Sequence, residues 1–166
     1  MIYKIKKILD LALEFLVAFV MGVLVLAVSW QVFTRFVLKN PSSWTEELAV
    51  FLMIWVGLLG ASVALNRSAH LGIDYFTGLL SPQKRFYTEL TAYTSVCLFS
   101  LFVLIIGGLR LVMITLTKEQ VSPALGIKMG YVYLALPISG FFLVLYSFEF
   151  MYELIKKHIK EKEDTI

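Results

Sequence analysis

The chain has 166 residues, of which 59% are hydrophobic and 16% charged, and it carries a net charge of +3. So few charges do not supply the polar shell of a water-soluble domain of this size, and so small a charge excess leaves no footprint for nucleic acid. Composition therefore places the chain in a membrane.

Residues 3–14 form an amphipathic entry in which Lys4, Lys6 and Lys7 suit the headgroups while Ile5, Ile8 and Leu9 suit hydrocarbon. Four uncharged runs follow, Phe15 to Thr34, Leu48 to Asn66, Leu90 to Leu109 and Met129 to Phe148. Each matches the roughly 20 residues a helix needs to cross about 30 Å of hydrocarbon. They are too long and too evenly apolar for barrel strands, which alternate over about 10 residues. The first run exceeds the 7–15 residues of a signal-peptide core and no small-residue cleavage motif follows it, so it reads as a retained span. The expected fold is an all-α integral membrane protein, a single membrane domain over 1–166. Its expected spans are about 9–38, 44–65, 83–117 and 128–157, with a charged tail over 158–166.

The far end of the first span carries Gln31, Thr34 and Arg35 on one helical face, a stripe suited to a neighbouring helix. Pro41 then precedes Ser43, and Ser43 with Glu46 has capping-box spacing. Glu46 and Glu47 also sit where the free amides of a first turn favour negative charge. Arg35 and Lys39 lie across a short turn, so an ion pair to either acid is expected to orient the first two spans. Trp44 fits the interfacial aromatic belt. Within the second span Gly57 and Ala61, and Gly60 and Ala64, are small-x-x-x-small pairs, the spacing that lets helix backbones approach in lipid. The first span is the expected partner.

Arg67, His70 and Asp74 recur at helical spacing in the next joint and form an expected ion network or helix anchor. Ser81 and Pro82 restart a helix, and residues 71–82 can hold a short interfacial amphipathic segment. Arg110 interrupts the third span near its end, in a position to snorkel. Ser122, Pro123 and Gly126 mark a tight turn. In the fourth span Pro137 lacks the amide hydrogen that the Tyr133 carbonyl needs, and Gly140 follows, so a kink is expected.

Orientation follows from lysine and arginine placement. With the N-terminus inside, Lys4, Lys6, Lys7, Arg67, Lys84, Arg85, Lys156, Lys157, Lys160 and Lys162 are cytoplasmic, against Arg35, Lys39, Arg110, Lys118 and Lys128 outside. Both termini are therefore expected in the cytoplasm.

Chemistry is not indicated. There is no nucleophile–histidine–acid grouping, no phosphate loop and no metal cluster, and His70 and His158 both lie outside the spans, which excludes a bis-histidine haem. Cys97 is the only cysteine, so no intrachain disulfide forms. The spans also lack ionisable groups at mid-depth, where a transport path needs them. These readings favour a structural subunit without catalytic, cofactor or metal residues. The alternatives are a self-contained homodimeric transporter or the membrane anchor of another complex.

One stretch is more specific. Trp30-Gln31-Val32-Phe33-Thr34-Arg35-Phe36, Pro41, Trp44-Thr45-Glu46-Glu47-Leu48-Ala49, Ile54-Trp55, Gly60-Ala61, Ala64, Arg67, His70, Leu71 and Asp74 resemble the small DctQ-like membrane subunit of tripartite ATP-independent periplasmic (TRAP) transporters, and Pro137 with Gly140 matches a Leu-Pro-x-x-Gly pattern. The resemblance spans the whole chain and is strongest over residues 30–74. It implies an inner-membrane protein partnered by a large membrane subunit, which would hold the substrate and sodium sites, and by a periplasmic substrate-binding protein. It also implies sodium-driven import of an organic acid such as a C4-dicarboxylate, sialic acid or a related sugar or keto acid. The small subunit would brace the large one and widen the platform for the binding protein.

Overall fold

A computed structural model describes residues 2–67 and 81–163. Four helices in it are long and apolar enough to cross a membrane. Helix α1 is Ile2–Phe36 and α2 is Ser43–Asn66. The third, α3, runs from Pro82–Phe99 through a π-helical stretch, Ser100–Gly107, into Gly108–Thr117. The fourth, α4, comprises Met129–Tyr133 and Ala135–Glu163.

α1 starts well before Leu9, because the lysine-rich entry continues the same helix. Its 35 residues span ~52 Å, far more than the hydrocarbon layer. It closes with the Asn40 amide donating to the Thr34 carbonyl at 3.1 Å, and Lys39 takes the left-handed φ of +50° that such a closure requires.

The helix start at α2 departs from the capping-box expectation. Ser42, extended at φ −90° and ψ 107°, is the cap residue and Ser43 is already helical. No side-chain cap forms; the Thr45 hydroxyl donates back to the Ser42 carbonyl at 2.9 Å. With the cap one residue earlier, Thr45 takes the third helical position that Glu46 was expected to hold, and Glu46 is left exposed.

The irregularity in α4 falls at Leu134, three residues before Pro137. Pro137 has no amide to give the Tyr133 carbonyl, and the ladder resumes with the Ile138 amide donating to Leu134 at 3.2 Å.

The helices pack in the order α1, α2, α4, α3, so consecutive elements are not all neighbours. α2 and α4 occupy the middle of the row. Leu13, Leu59, Leu65, Leu104, Leu143 and Tyr146 form the buried cluster that joins them. In lipid, apolar burial from water does not hold helices together, so close backbone approach matters more. Three glycines allow it in the α3–α4 seam. A methyl on Gly140 would lie 2.8 Å from the Leu104 Cβ, one on Gly108 2.9 Å from the Leu136 Cβ, and one on Gly130 2.4 Å from the Leu116 Cγ. Gly140 faces the π-helical stretch of α3, so the widened helix and the missing side chain meet at one place.

Candidate functional site

Three polar clasps hold the row of helices, one near each membrane edge and one between. At the end that carries the termini, Arg67 closing α2 donates from Nε and Nη2 to the two Glu14 oxygens of α1, at 2.9 and 2.8 Å. This forked geometry fixes orientation as well as distance. The carboxylate raises the Arg67 guanidinium above its ordinary pKa, chiefly by hydrogen bonding, so the cation is maintained. Beside it the Tyr146 hydroxyl of α4 donates to Asp10 Oδ1 at 2.7 Å, and Lys6 pairs with Glu149.

At mid-row the Ser62 hydroxyl of α2 donates to the Ser139 carbonyl of α4 at 3.2 Å, with both residues fully buried. Bonds of this type in a membrane contribute about 0.6 kcal/mol each, with a maximum near 1.7.

The third clasp ties the start of α2 to the loop between α3 and α4. Glu47 Oε2 accepts from the Ser122 hydroxyl at 2.7 Å, the Ala124 amide at 3.1 Å and the Leu125 amide at 3.0 Å. The loop presents these donors because Val121 and Lys128 bridge in antiparallel fashion, the Gly126 amide donates to the Ser122 carbonyl, and Gly126 takes φ +67°. Replacing Glu47 by Ala removes the acceptor of all three donors. It is expected to loosen the hold of this loop on α2. Hydrogen exchange of residues 122–126 in the purified chain should accelerate strongly, while Glu46→Ala leaves it unchanged.

The clasps redistribute the residues singled out from sequence. Arg35 does not meet Glu46 or Glu47. It lies 5.9 Å over the Phe36 ring, and Glu47 is engaged with the far loop instead. Of the Gln31 stripe, Thr34 is the buried member and donates to the Gln31 carbonyl, whereas Arg35 is exposed. Trp44 is 48% exposed at the start of α2. Arg67 pairs with Glu14, while His70, Asp74 and residues 71–80 of the expected interfacial segment 71–82 lie outside the described residues. Pro137 and Gly140 sit together against α3.

The largest correction concerns the small-residue pairs. Methyls built on Gly57 and Gly60 meet nothing within 4 Å, so α1 does not fill this seam. Val50, Met53, Gly57 and Ala61 are exposed at helical spacing along α2, with Gly60 and Ala64 half-buried beside them. The buried side of α2 is a different set, Thr45, Ala49, Leu59, Ser62 and Leu65.

Several clasp residues carried weak sequence signals. Glu14 and Arg67 each abut the end of an apolar run, which places them at matching depth. Ser62, Ser139 and Tyr146 lie inside runs, where nothing in the sequence names their partners. Among the described residues no three His, Cys, Asp or Glu side chains converge as a metal site.

Long apolar helices, mutual polar clasps and an unfilled small-residue stripe define a multi-pass membrane subunit built around contacts. A family model described as the DctQ component of tripartite ATP-independent periplasmic transporters matches residues 24–157. The chain belongs to this family of transporter permease components. It is an inner-membrane protein and not an enzyme. It is 30% identical over 152 residues to the sialic acid TRAP transporter small permease protein SiaQ of Vibrio cholerae, a match over 92% of this chain and 86% of that protein. It is 33% identical over 92 residues to the C4-dicarboxylate TRAP transporter small permease protein DctQ of the same species, covering 55% of this chain and 40% of that one. It is also 31% identical over 121 residues to the sialic acid TRAP transporter permease protein SiaT of Haemophilus influenzae, where 73% of this chain corresponds to 19% of a much longer one.

Proposed function

We propose that this chain is the bracing small subunit of a sodium-driven TRAP importer for an organic acid, in the sialic acid or C4-dicarboxylate class. It would present the open α2 seam to the large membrane subunit, which would hold the substrate and sodium sites. The observation that carries this reading is the contrast between the two small-residue seams. The one used within the chain is filled, and the one on α2 is open. In lipid an unfilled seam of this kind suits another helix. The SiaT relative supports a membrane-embedded partner, because the matching segment there is a minor part of one long permease chain.

The clasps suit bracing, since they fix the three helices α1, α2 and α4 to one another and to the α3–α4 loop. The lysine and arginine bias favours cytoplasmic termini, which puts the Glu47 clasp on the periplasmic side. Lys118, Glu119 and Gln120, next to that clasp, are exposed and available to a periplasmic binding protein.

Vesicles provide the test. With an imposed sodium gradient, vesicles holding this chain alone are expected to accumulate neither sialic acid nor succinate. Vesicles holding it with its large subunit and binding protein are expected to accumulate one of them. Uptake by the chain alone would overturn the reading in favour of a self-contained transporter.

A further inference from the structure

A groove of about 450 Å³ lies between α1 and α4 at the end that carries the termini. Leu9, Phe142 and Leu145 form its apolar wall, and Lys6, Asp10, Tyr146 and Glu149 complete its lining. We propose that this groove holds a phospholipid with a primary-amine headgroup, of the phosphatidylethanolamine type, as a bound component of the subunit.

The occupant follows from depth and charge. Asp10 precedes the apolar run that begins at Phe15, and Glu149 follows directly on the run that ends at Phe148. The charged rim therefore lies at headgroup level, while Phe142 and Leu145 reach the acyl region. A molecule that fills both parts is amphipathic. The rim holds two carboxylates and one ammonium, and the Lys6 and Glu149 side chains are only about a third exposed, at 36% and 34%. Each carboxylate uses one oxygen within the chain, Asp10 toward Tyr146 and Glu149 toward Lys6. Their remaining acceptor capacity suits an ammonium donor, and Lys6 suits a phosphate. A net-negative rim disfavours phosphatidylglycerol, whose headgroup is anionic. Phosphatidylcholine offers no N–H donor.

A photo-cross-linker at this site separates the occupants. Benzoylphenylalanine replaces Leu145, which is 43% exposed and makes none of the polar contacts. Native membranes holding the complete transporter are irradiated, and adducts of the chain are weighed. Phosphatidylethanolamine adducts are expected above that lipid's share of the membrane, by roughly tenfold over phosphatidylglycerol, the effect of about one charge-assisted hydrogen bond. The isosteric variants Asp10→Asn and Glu149→Gln, combined, should bring adducts down to the membrane proportions. Adducts in membrane proportion on the unmodified rim would overturn the proposal, as would an enrichment that survives both substitutions. Cross-linking to the large subunit or to a second copy in place of lipid would also overturn it.

Discussion

Replacing Gly57 and Gly60 together by Leu is expected to leave this subunit folded and to abolish recovery of the large membrane subunit with it. The two halves of that outcome have separate causes. Neither position has an atom within 4 Å of an added Cβ, and Gly57 itself is exposed, so the new side chains start without a clash and extend along an open face. Glycine inside a helix is also about 0.8–1 kcal/mol less favourable than a good helix former. The purified variant should therefore unfold no more readily than the unmodified chain. Docking is another matter. Two isobutyl groups along the stripe of Val50, Met53 and Ala61 would hold a partner helix several ångströms away, which removes the close packing that associates helices in lipid. Affinity purification of the variant should bring down less than about a tenth of the large subunit, equivalent to a loss of roughly 1.4 kcal/mol or more. Uptake should fall in parallel. A variant that still recovers the large subunit in full would assign the seam to lipid and move the interface elsewhere on the molecule.

Gly140→Leu is expected to do the reverse and damage the subunit itself. The first added carbon would lie 2.8 Å from the Leu104 Cβ, 2.9 Å from the Ile105 Cγ1 and 3.2 Å from the Ser100 carbonyl oxygen. The carbonyl belongs to backbone, and a Cβ cannot swing aside as the end of a long side chain can. α3 must therefore move off α4. Overpacking of this kind costs typically 1–3 kcal/mol, and occasionally more. Here the displaced contact is the main support of α3, which packs against α4 and leaves α1 untouched. Denaturant titration of the purified chain should show a clearly lower midpoint, and amides of the π-helical stretch Ser100–Gly107 should lose exchange protection. Gly140→Ala should give the same signs with smaller amplitude. An unchanged midpoint for the Leu variant would mean that the α3–α4 seam is looser than its geometry implies. Glycines on α2 and on α4 thus predict opposite phenotypes.

Much of the architecture was legible in the residue order. Uncharged runs of membrane length at Phe15–Thr34, Leu48–Asn66, Leu90–Leu109 and Met129–Phe148 are visible without coordinates. They specify helices because a backbone in hydrocarbon must satisfy its own hydrogen bonds. Pro137 announced a break in the last helix, because a missing amide is a local property. The family was legible too, through a stretch whose individual residues have roles that the order of letters does not disclose.

Partnership was less legible. Gly57 and Gly60 read as a contact surface, and the nearest span in the chain was the natural candidate to fill it. α1 does lie against α2, but on another side of it. Glu47 had a nearby cation in Arg35, yet it reaches across the molecule to Ser122, Ala124 and Leu125. Arg67 pairs with Glu14, 53 positions away, a partner that no local spacing names. In each case sequence proximity competed with an order of packing that no local pattern encodes.

Taken alone, the order of residues determined the solvent of this protein, the number of its membrane-length helices and the family that such helices serve. Those properties follow from hydropathy and backbone hydrogen bonding summed along short windows, and each window reports them independently. Only the tertiary structure decided that α2 and α4 share the middle of the row, that Gly108, Gly130 and Gly140 are the filled glycines, and that the stripe at Gly57 stands open. The physical reason is that helices in lipid associate through shape and a few polar contacts, and these exist only once two distant segments are brought side by side.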